Sequence, residues 1–494
     1  MVPETVSHFI GGRHVHSTLR KTYGVTDPAT GKEYAQVEVG LGADVNQAVL
    51  AARTALETEP WAGMTAPDRA RVLSAIADAI DARADDIAAA EALGPGLPVT
   101  QAVEQAARAG GLFRLAAELI TATDAAADRG CGAGPSRYLV ARPAGIAGLI
   151  TSWRTPFLAQ ARSVAPALAA GCSIVLKPDE WAPLPAALLA EITTAAGLPD
   201  GVLNVVHGSL HRKAPGAQAR DALIAHPRVA RLSFDGDAAT GRQIRLDAAT
   251  QRKNLSAELA GPSPCLIFAD ADLDQAADGA LFGGFALNGQ RRTATSTILV
   301  QRPVYDALVG RLAQRVERIR VGDPADPATE LGPLPDGAHH DALTSLVRLG
   351  VREGARLAAG GRRPAGLPEG NFLAATVLAN VEPSMKIFTE PIAGPVLRVT
   401  PFDTDDEAIT LANAVTEPTA AYLWTSDLER AHRLGAALEA ASTWVNSHNQ
   451  PDLIDGRRSG RPGAAAEHVN IDFYTQSRTM LIAADEMPVP RFGV

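Results

Sequence analysis

The chain has 494 residues, of which 46% are hydrophobic and 20% charged, with a formal net charge of -9 and a pI near 5.7. This length allows roughly two or three domains, and the composition is that of a folded globular protein. The acidic balance argues against a nucleic-acid-binding surface. The sequence contains no apolar run of about 20 residues, so it predicts no membrane span. The N-terminus lacks a basic stretch followed by an apolar block, so we expect a cytoplasmic protein.

The chain contains three cysteines, Cys131, Cys172 and Cys265, which show no CxxC spacing. An odd number without that spacing predicts neither a disulfide framework nor structural zinc. Cys172 opens one apolar run and Cys265 lies within another, so we expect both to be buried core residues. His14 and His16 alternate as on a strand and have no carboxylate at ligand spacing, so no metal site is expected.

Helical periodicity dominates residues 43–120, where apolar residues recur every three or four positions. From residue 142 the pattern alternates, and the apolar runs AGIAGLITS and CSIVLKP are separated by the helical segment PFLAQARSVAPALAAG. A second series of this kind runs from about residue 264 to 445. Buried strands that alternate with helices predict parallel, doubly wound α/β sheets, and two series predict two such domains.

The segment HVNIDFYTQSRTMLI near the C-terminus is strand-like, with aromatic residues on one side. Such a strand is a candidate for addition to the sheet of another subunit.

Several blocks of the sequence carry a family resemblance. The runs GLITSWRTPF, SIVLKPDE, RLSFDGDAATG, AELAGPSPC, NGQRRTATSTILV, EPIAGPVLRV and STWVNSHN resemble the aldehyde dehydrogenases in order and spacing over roughly residues 20–480. The resemblance implies an α/β fold with a Rossmann-type cofactor domain, an α/β catalytic domain and a β-strand oligomerisation arm. We expect these at 1–123 with 146–257, at 258–455, and at 124–145 with 456–494, in a homodimer or homotetramer.

The family's nucleophile is a cysteine two residues after a Gly-Gln pair, and its thiolate attacks the aldehyde carbonyl. Here Gly289-Gln290 is followed by Arg291 and then by Arg292 at the thiol position. A guanidinium has no lone pair with which to attack a carbonyl. The family's general base is retained as Glu258, and we expect a partly buried ion pair between Glu258 and Arg292.

The resemblance also identifies changes in the substrate tunnel. The family's Pro-Trp-Asn triplet is Ser152-Trp153-Arg154, so Arg154 replaces the asparagine of the oxyanion hole. Thr155 stands where an aromatic residue is common, and Arg162 where a tryptophan often lines the tunnel. We expect Arg154, Arg162 and Arg292 to converge on one pocket with surplus positive charge, which would favour a small carboxylate or phosphate ligand. The alternative is that these arginines extend into solvent.

The cofactor groups of the family are only partly retained. Lys177 and Glu180 of the KPDE block match the residues that hold the adenosine ribose, and Gly236 keeps the turn before a helix. Asp237 places a carboxylate at a helix N-terminus that ought to attract phosphate, although it is a good helix cap. Pro391 replaces the glutamate that clamps the nicotinamide ribose. We therefore expect weak NAD(P) binding at most and no productively bound nicotinamide.

These changes leave three interpretations of function. The first is a pseudoenzyme that retains the fold for assembly or regulation, with a pathway enzyme as its partner. The second is a repurposed enzyme that uses Glu258 and the arginines for non-redox chemistry on a carbonyl or anionic substrate. The third is a residual NAD(P)-dependent oxidoreductase that acts without a covalent intermediate.

Overall fold

The computed structural model describes residues 3–124, 136–208, 217–415, 418–448 and 469–482. The predicted helical block over 43–120 is confirmed as the first four of the helices. In chain order the helices are α1 Gly42–Glu57, α2 Ala66–Ala82, α3 Ala84–Leu93, α4 Val99–Asp124, α5 Pro156–Ala169, α6 Pro183–Ala195, α7 Ala217–Ala225, α8 Ala238–Thr250, α9 Leu273–Phe285, α10 Tyr305–Val316, α11 Gly337–Glu353, α12 Lys386–Thr389, α13 Asp405–Asn413 and α14 Leu428–Ala437.

The strands alternate with these helices from residue 146 onward, as the sequence predicts. In chain order they are β1 Thr5–Val6, β2 His8–Ile10, β3 Arg13–Val15, β4 Thr22–Thr26, β5 Glu33–Glu38, β6 Ser136–Pro143, β7 Ile146–Ile150, β8 Ser173–Lys177, β9 Leu203–Val205, β10 Val229–Asp237, β11 Asn254–Ala260, β12 Ser263–Ile267, β13 Thr295–Gln301, β14 Arg356–Ala359, β15 Thr376–Ala379, β16 Val396–Phe402, β17 Ala420–Trp424, β18 Ser442–Val445 and β19 Thr475–Ile482.

Two seven-stranded sheets form the centre of the fold. The first has the order β11-β10-β7-β8-β9-β2-β3, and the second β14-β15-β16-β13-β12-β17-β18. Neighbours are parallel from β11 to β9 and from β15 to β18, which confirms the predicted parallel α/β architecture. The strand β11 runs across the predicted domain boundary at residue 257.

Burial explains why these segments form central strands. All five residues of β7 and all five of β8 are buried, because helices cover both faces of a parallel sheet. The helix α5 is equally enclosed, and Arg162 is the one residue of this helix that is only partly buried. A charged side chain in so apolar a helix needs a partner of opposite charge.

The strand-like tail pairs within its own chain. Its strand β19 runs antiparallel to β6, with Thr475 opposite Pro143 and Ile482 opposite Ser136. This ladder lies within one chain, and the addition of the tail to another subunit's sheet stays a prediction. Cys131 lies outside the described residues. Among the described helices, none has the length and apolar character that a bilayer span requires.

Candidate active site

The candidate residues gather where strands β7, β10 and β11 of the first sheet end. After β7 the chain turns through residues 152–155 into α5, and after β10 it enters α8. Within the sheet, Asp235 on β10 is the register partner of Glu258 on β11. The carboxyl ends of parallel strands lie on one edge of the sheet, the usual location of ligand sites in such folds.

Glu258 and Arg292 form the ion pair that the sequence predicts. Arg292 Nη1 donates a hydrogen bond to Glu258 Oε2 over 2.6 Å, and the two side chains are 11% and 29% exposed respectively. A charge-assisted bond of this length keeps the carboxylate occupied.

A strained turn brings Arg292 to this position. Leu287, Asn288 and Gly289 all have left-handed φ values, of 54°, 60° and 65°. Only glycine adopts this conformation without cost, so Leu287 and Asn288 require support from their surroundings. The Asn288 side chain supplies it, since Nδ2 donates to the carbonyls of Gly96 and Pro333, at 2.7 and 3.1 Å, and Oδ1 accepts from a backbone N–H at 2.7 Å.

Arg162 pairs with Asp235, the register partner of Glu258, and not with Glu258 itself. The convergence of Arg154, Arg162 and Arg292 on one pocket stays a prediction. Arg162 Nη1 lies 3.2 Å from Asp235 Oδ2, and both side chains are largely buried. The hydroxyl of Ser152 donates to Asp235 Oδ1 over 2.7 Å. Asp235 thus ties α5 to the turn that follows β7.

Arg154 lies against the aromatic ring of Trp153, with its Cζ atom 5.3 Å from the ring centroid. Burial lowers the pKa of Arg154, and the carboxylates of Asp237, Asp235 and Asp179 act in the opposite direction. The predicted surplus of positive charge is wrong, because carboxylates lie close to each of the three arginines.

The ring of Trp153 makes further contacts that the sequence did not indicate. It packs edge-on against Trp181 at 5.5 Å and against His339 at 5.6 Å. The His339 Nε2 atom lies 2.6 Å from the carbonyl oxygen of Ala393, and burial lowers the pKa of this histidine. A neutral ring that donates to Ala393 fits both observations.

Thr155 precedes α5 with φ 40° and ψ 59°, a strained conformation for a β-branched residue. The next turn is fixed by Glu91 of α3, whose Oε1 accepts the backbone N–H of Phe157 at 2.9 Å. Glu91 is fully buried, and this burial raises its pKa to about 8. No pattern in the sequence indicated Glu91, which lies in an alanine-rich helix.

The two residues of the adenosine end occur together in a buried position. Lys177 Nζ donates to the carbonyl oxygens of Pro178, at 2.7 Å, and Gly208. Burial lowers the pKa of Lys177 to about 8, and the carboxylates of Glu180 and Asp179 act against this change.

The N-terminus of α8 is capped by its own chain. Asp237 Oδ1 accepts the backbone N–H of Thr240 at 2.8 Å, which confirms the cap expected from the sequence. Gly236 lies in the last residues of β10 and not in the turn expected from the sequence. An added Cβ would lie 2.3 Å from the buried Phe234 ring, so this position requires glycine.

The third cofactor position predicted from the sequence, Pro391, offers no carboxylate. Pro391 is exposed, and the neighbouring Glu390 places Oε1 3.5 Å from Lys386 Nζ. Glu390 is thus directed along its own surface segment.

Cys172 and Cys265 are both fully buried, as predicted. Burial raises the pKa of Cys172 to about 11, and its Sγ donates to the carbonyl oxygen of Tyr474. Cys265 lies in the middle of β12, between Ile298 and Tyr422 on the neighbouring strands, and burial raises its pKa as well. Among the described residues, no group of three or more His, Cys, Asp or Glu side chains could hold a metal ion.

Comparison with known proteins assigns this arrangement. The model of the aldehyde dehydrogenase family matches residues 14–480. The chain belongs to the aldehyde dehydrogenase family. The family resemblance inferred from the sequence blocks, and the fold that it implies, are confirmed.

Two curated relatives from this family act on semialdehydes by name. The 5-carboxymethyl-2-hydroxymuconate semialdehyde dehydrogenase of Escherichia coli is 40% identical over 473 residues, covering 93% of this chain and 97% of the relative. The 2-hydroxymuconic semialdehyde dehydrogenase of Pseudomonas sp. strain CF600 is 36% identical, covering 97% of this chain and 99% of the relative.

Solved structures of the family superimpose on the whole chain. HpcC from Thermus thermophilus has a TM-score of 0.90 and 39% identity, covering 99% of this chain and 95% of its own. The betaine aldehyde dehydrogenase of Staphylococcus aureus, solved in complex with NAD+, has a TM-score of 0.90 and 31% identity, covering 99% and 97%.

Proposed function

We propose that this aldehyde dehydrogenase family member does not oxidise aldehydes through a cysteine thiol, and that it is a pseudoenzyme. The ion pair between Arg292 and Glu258 carries the proposal. At the position where the family pattern has its nucleophile, a guanidinium donates to the carboxylate that would otherwise activate water. With neither a thiolate nor a free base, the thiohemiacetal step has no group to perform it.

The cofactor residues support the same proposal. Lys177 and Glu180 fit the adenosine ribose of NAD(P), which supplies the hydride acceptor in this family. The pyrophosphate and nicotinamide ends do not fit, because Asp237 places a carboxylate at the α8 N-terminus and Pro391 has no side-chain oxygen. We propose weak NAD(P) binding through the adenosine end alone.

A second candidate is a residual NAD(P)-dependent oxidation of a semialdehyde without a covalent intermediate. Two observations favour it: the curated relatives are named as semialdehyde dehydrogenases, and a neighbouring structure holds NAD+. Non-redox chemistry on an anionic substrate has less support, because Arg162 and Arg292 are already paired with carboxylates.

The assembly remains part of the proposal. We expect a homodimer or homotetramer of the family type, in the cytoplasm, with the domain boundaries given by the sequence blocks. A retained scaffold of this kind is suited to association with an active pathway enzyme.

The deciding experiment measures NAD(P)H formation by the purified chain with a panel of aldehydes and muconic semialdehydes, beside the E. coli relative as a positive control. We expect no signal from this chain with either NAD+ or NADP+. Turnover that iodoacetamide abolishes would overturn the proposal. Turnover that survives iodoacetamide but requires the dinucleotide, and is lost in Glu258→Gln, would establish the second candidate instead.

A further inference from the structure

Two carboxylates stand side by side at the end of the first sheet. Asp235 on β10 and Glu258 on β11 are register partners in neighbouring parallel strands. Neighbouring strands lie about 4.8 Å apart, and register partners direct their side chains to the same face. Two negative charges in this arrangement repel each other unless each is neutralised.

Each carboxylate has its own arginine, and the two arginines come from different parts of the chain. Arg162 reaches Asp235 from α5 over 3.2 Å, and Arg292 reaches Glu258 from the turn before β13 over 2.6 Å. The Asp235–Arg162 pair is the more buried, with side chains 9% and 13% exposed. Water therefore screens these charges poorly, and the loss of one arginine would be felt by both carboxylates.

The contacts of Asp235 join residues that also depart together from the family pattern. Ser152 replaces a proline and Arg162 a tryptophan, while Asp235 stands at the threonine of the family's Phe-Thr-Gly-Ser block, which reads FDGD in this sequence. Asp235 accepts hydrogen bonds from both of the others. Three separate substitutions in the sequence are thus one connected unit in the fold.

We propose that Asp235 is a positioning residue that joins Arg162, Glu258 and Arg292 into a single four-charge network. Asp235 fixes the turn that carries Trp153 and Arg154, because it accepts a hydrogen bond from Ser152. The negative charge of Asp235 also helps to hold Arg292 against Glu258. This inference rests on the proposed function, in which Glu258 is not a free base. The inference goes further, because Asp235 and Arg162 also help to keep Glu258 in its ion pair with Arg292.

A double-mutant cycle tests the coupling. We compare the urea unfolding constants of Arg292→Met, Asp235→Asn and the double variant. Arg292→Met leaves Glu258 unneutralised beside Asp235, so we expect the unfolding constant to rise about tenfold. In the Asp235→Asn background the neighbouring negative charge is absent, so we expect Arg292→Met to raise the unfolding constant much less there than in the native background.

The controls separate charge from packing. Arg292→Lys keeps the charge and is expected to retain most of the stability. If Arg292→Met folds poorly, Arg292→Lys still provides a variant in which the cycle can be measured. Arg302, paired with Asp403 on the exposed surface, provides a matched pair outside the network. Arg302→Met combined with Asp235→Asn should be additive. Additivity of Arg292→Met with Asp235→Asn as well would overturn the proposal.

Fluorescence of Trp153 tests the positioning of the turn. We expect Ser152→Ala and Asp235→Asn to shift the Trp153 emission to longer wavelength, measured as the difference from the same variant carrying Trp153→Phe. An unchanged emission in Asp235→Asn contradicts the positioning role. Neither readout involves aldehyde turnover, so the proposed function and this inference can fail independently.

Discussion

The two ends of the proposed cofactor cleft differ in how many residues of the family pattern they retain. The adenosine end contains Lys177 and Glu180, and the reacting end contains Glu258 and Arg292. At the adenosine end Lys177 and Glu180 match the family pattern and are both buried, with carboxylates beside the lysine. At the reacting end the same fold holds two arginine–carboxylate pairs. The backbone is shared with a solved relative at a TM-score of 0.90, so the difference lies in a few side chains and not in the fold.

Under the proposed function, this contrast teaches that a folded cleft and a working site are separable. Packing of the sheet depends on apolar strands, which tolerate charged side chains only where each charge is matched. At the reacting end, each of the two carboxylates is matched by an arginine of the same chain. Three predictions test how far the two ends differ.

The largest effect expected concerns the reactivity of the buried cysteine thiols, which lie away from the reacting end. In a Cys131→Ser background, which removes the cysteine outside the described residues, Cys172 and Cys265 should react with iodoacetamide at pH 8 at least about a hundredfold more slowly than a free cysteine, because a raised pKa leaves little thiolate. The measurement is the rate of alkylation by mass spectrometry, with the urea-unfolded chain as control. One rapidly labelled cysteine in the folded chain would revive the thiol route.

The second prediction concerns the support of the reacting end by Glu91. Its folded pKa of about 8 lies above its ordinary value, so its contribution to stability is complete at low pH and is lost as the pH rises toward 8. Glu91→Gln keeps an acceptor for the Phe157 N–H and cannot ionise. Between pH 5 and 8 we expect the native chain to lose stability relative to this variant, by up to about 1.4 kcal/mol per pH unit. Urea titrations at four pH values check this, and parallel pH profiles for the two proteins would contradict it.

The smallest effect expected is a gain in NAD+ affinity when Asp237, at the start of α8, is replaced. Asp237→Ser removes a negative charge from the α8 N-terminus and keeps a capping oxygen, so NAD+ should bind about tenfold more tightly with little change in stability. Asp237→Ala is the matched control, because it removes the cap as well and costs about 1 kcal/mol. Calorimetric titration with NAD+ and with ADP-ribose provides the measurement. Equal affinities in the native chain and Asp237→Ser would reduce Asp237 to a helix cap.

The sequence predicted the architecture well because its signals are local. Apolar runs such as IAGLI and SIVLK identify buried strands, and an aspartate before a helix identifies a cap. The pair between Glu258 and Arg292 was also predictable, since both positions lie in recognisable blocks.

The partner of Arg162 was not predictable in this way. The alignment of Arg162 with a tunnel residue suggested that it lies beside Arg292. In the structure Arg162 pairs instead with Asp235, which lies next to Glu258 in the register of β10 with β11. Glu91 and His339 escaped for the same reason, because their contacts with Phe157 and Trp153 join segments far apart in the chain. Contacts between side chains that are far apart in the sequence depend on tertiary packing, and they leave no periodic pattern in the sequence.

The cap at the start of α8 has one more consequence. Asp237 is covalently attached a few atoms from the amide that it binds, so its effective concentration there is far above that of any dissolved phosphate. A phosphate-bearing compound that approaches this helix must first displace an anion that never leaves. We therefore expect Asp237 to compete with phosphate for this helix N-terminus, and the strength of that competition does not depend on the concentration of any dissolved compound.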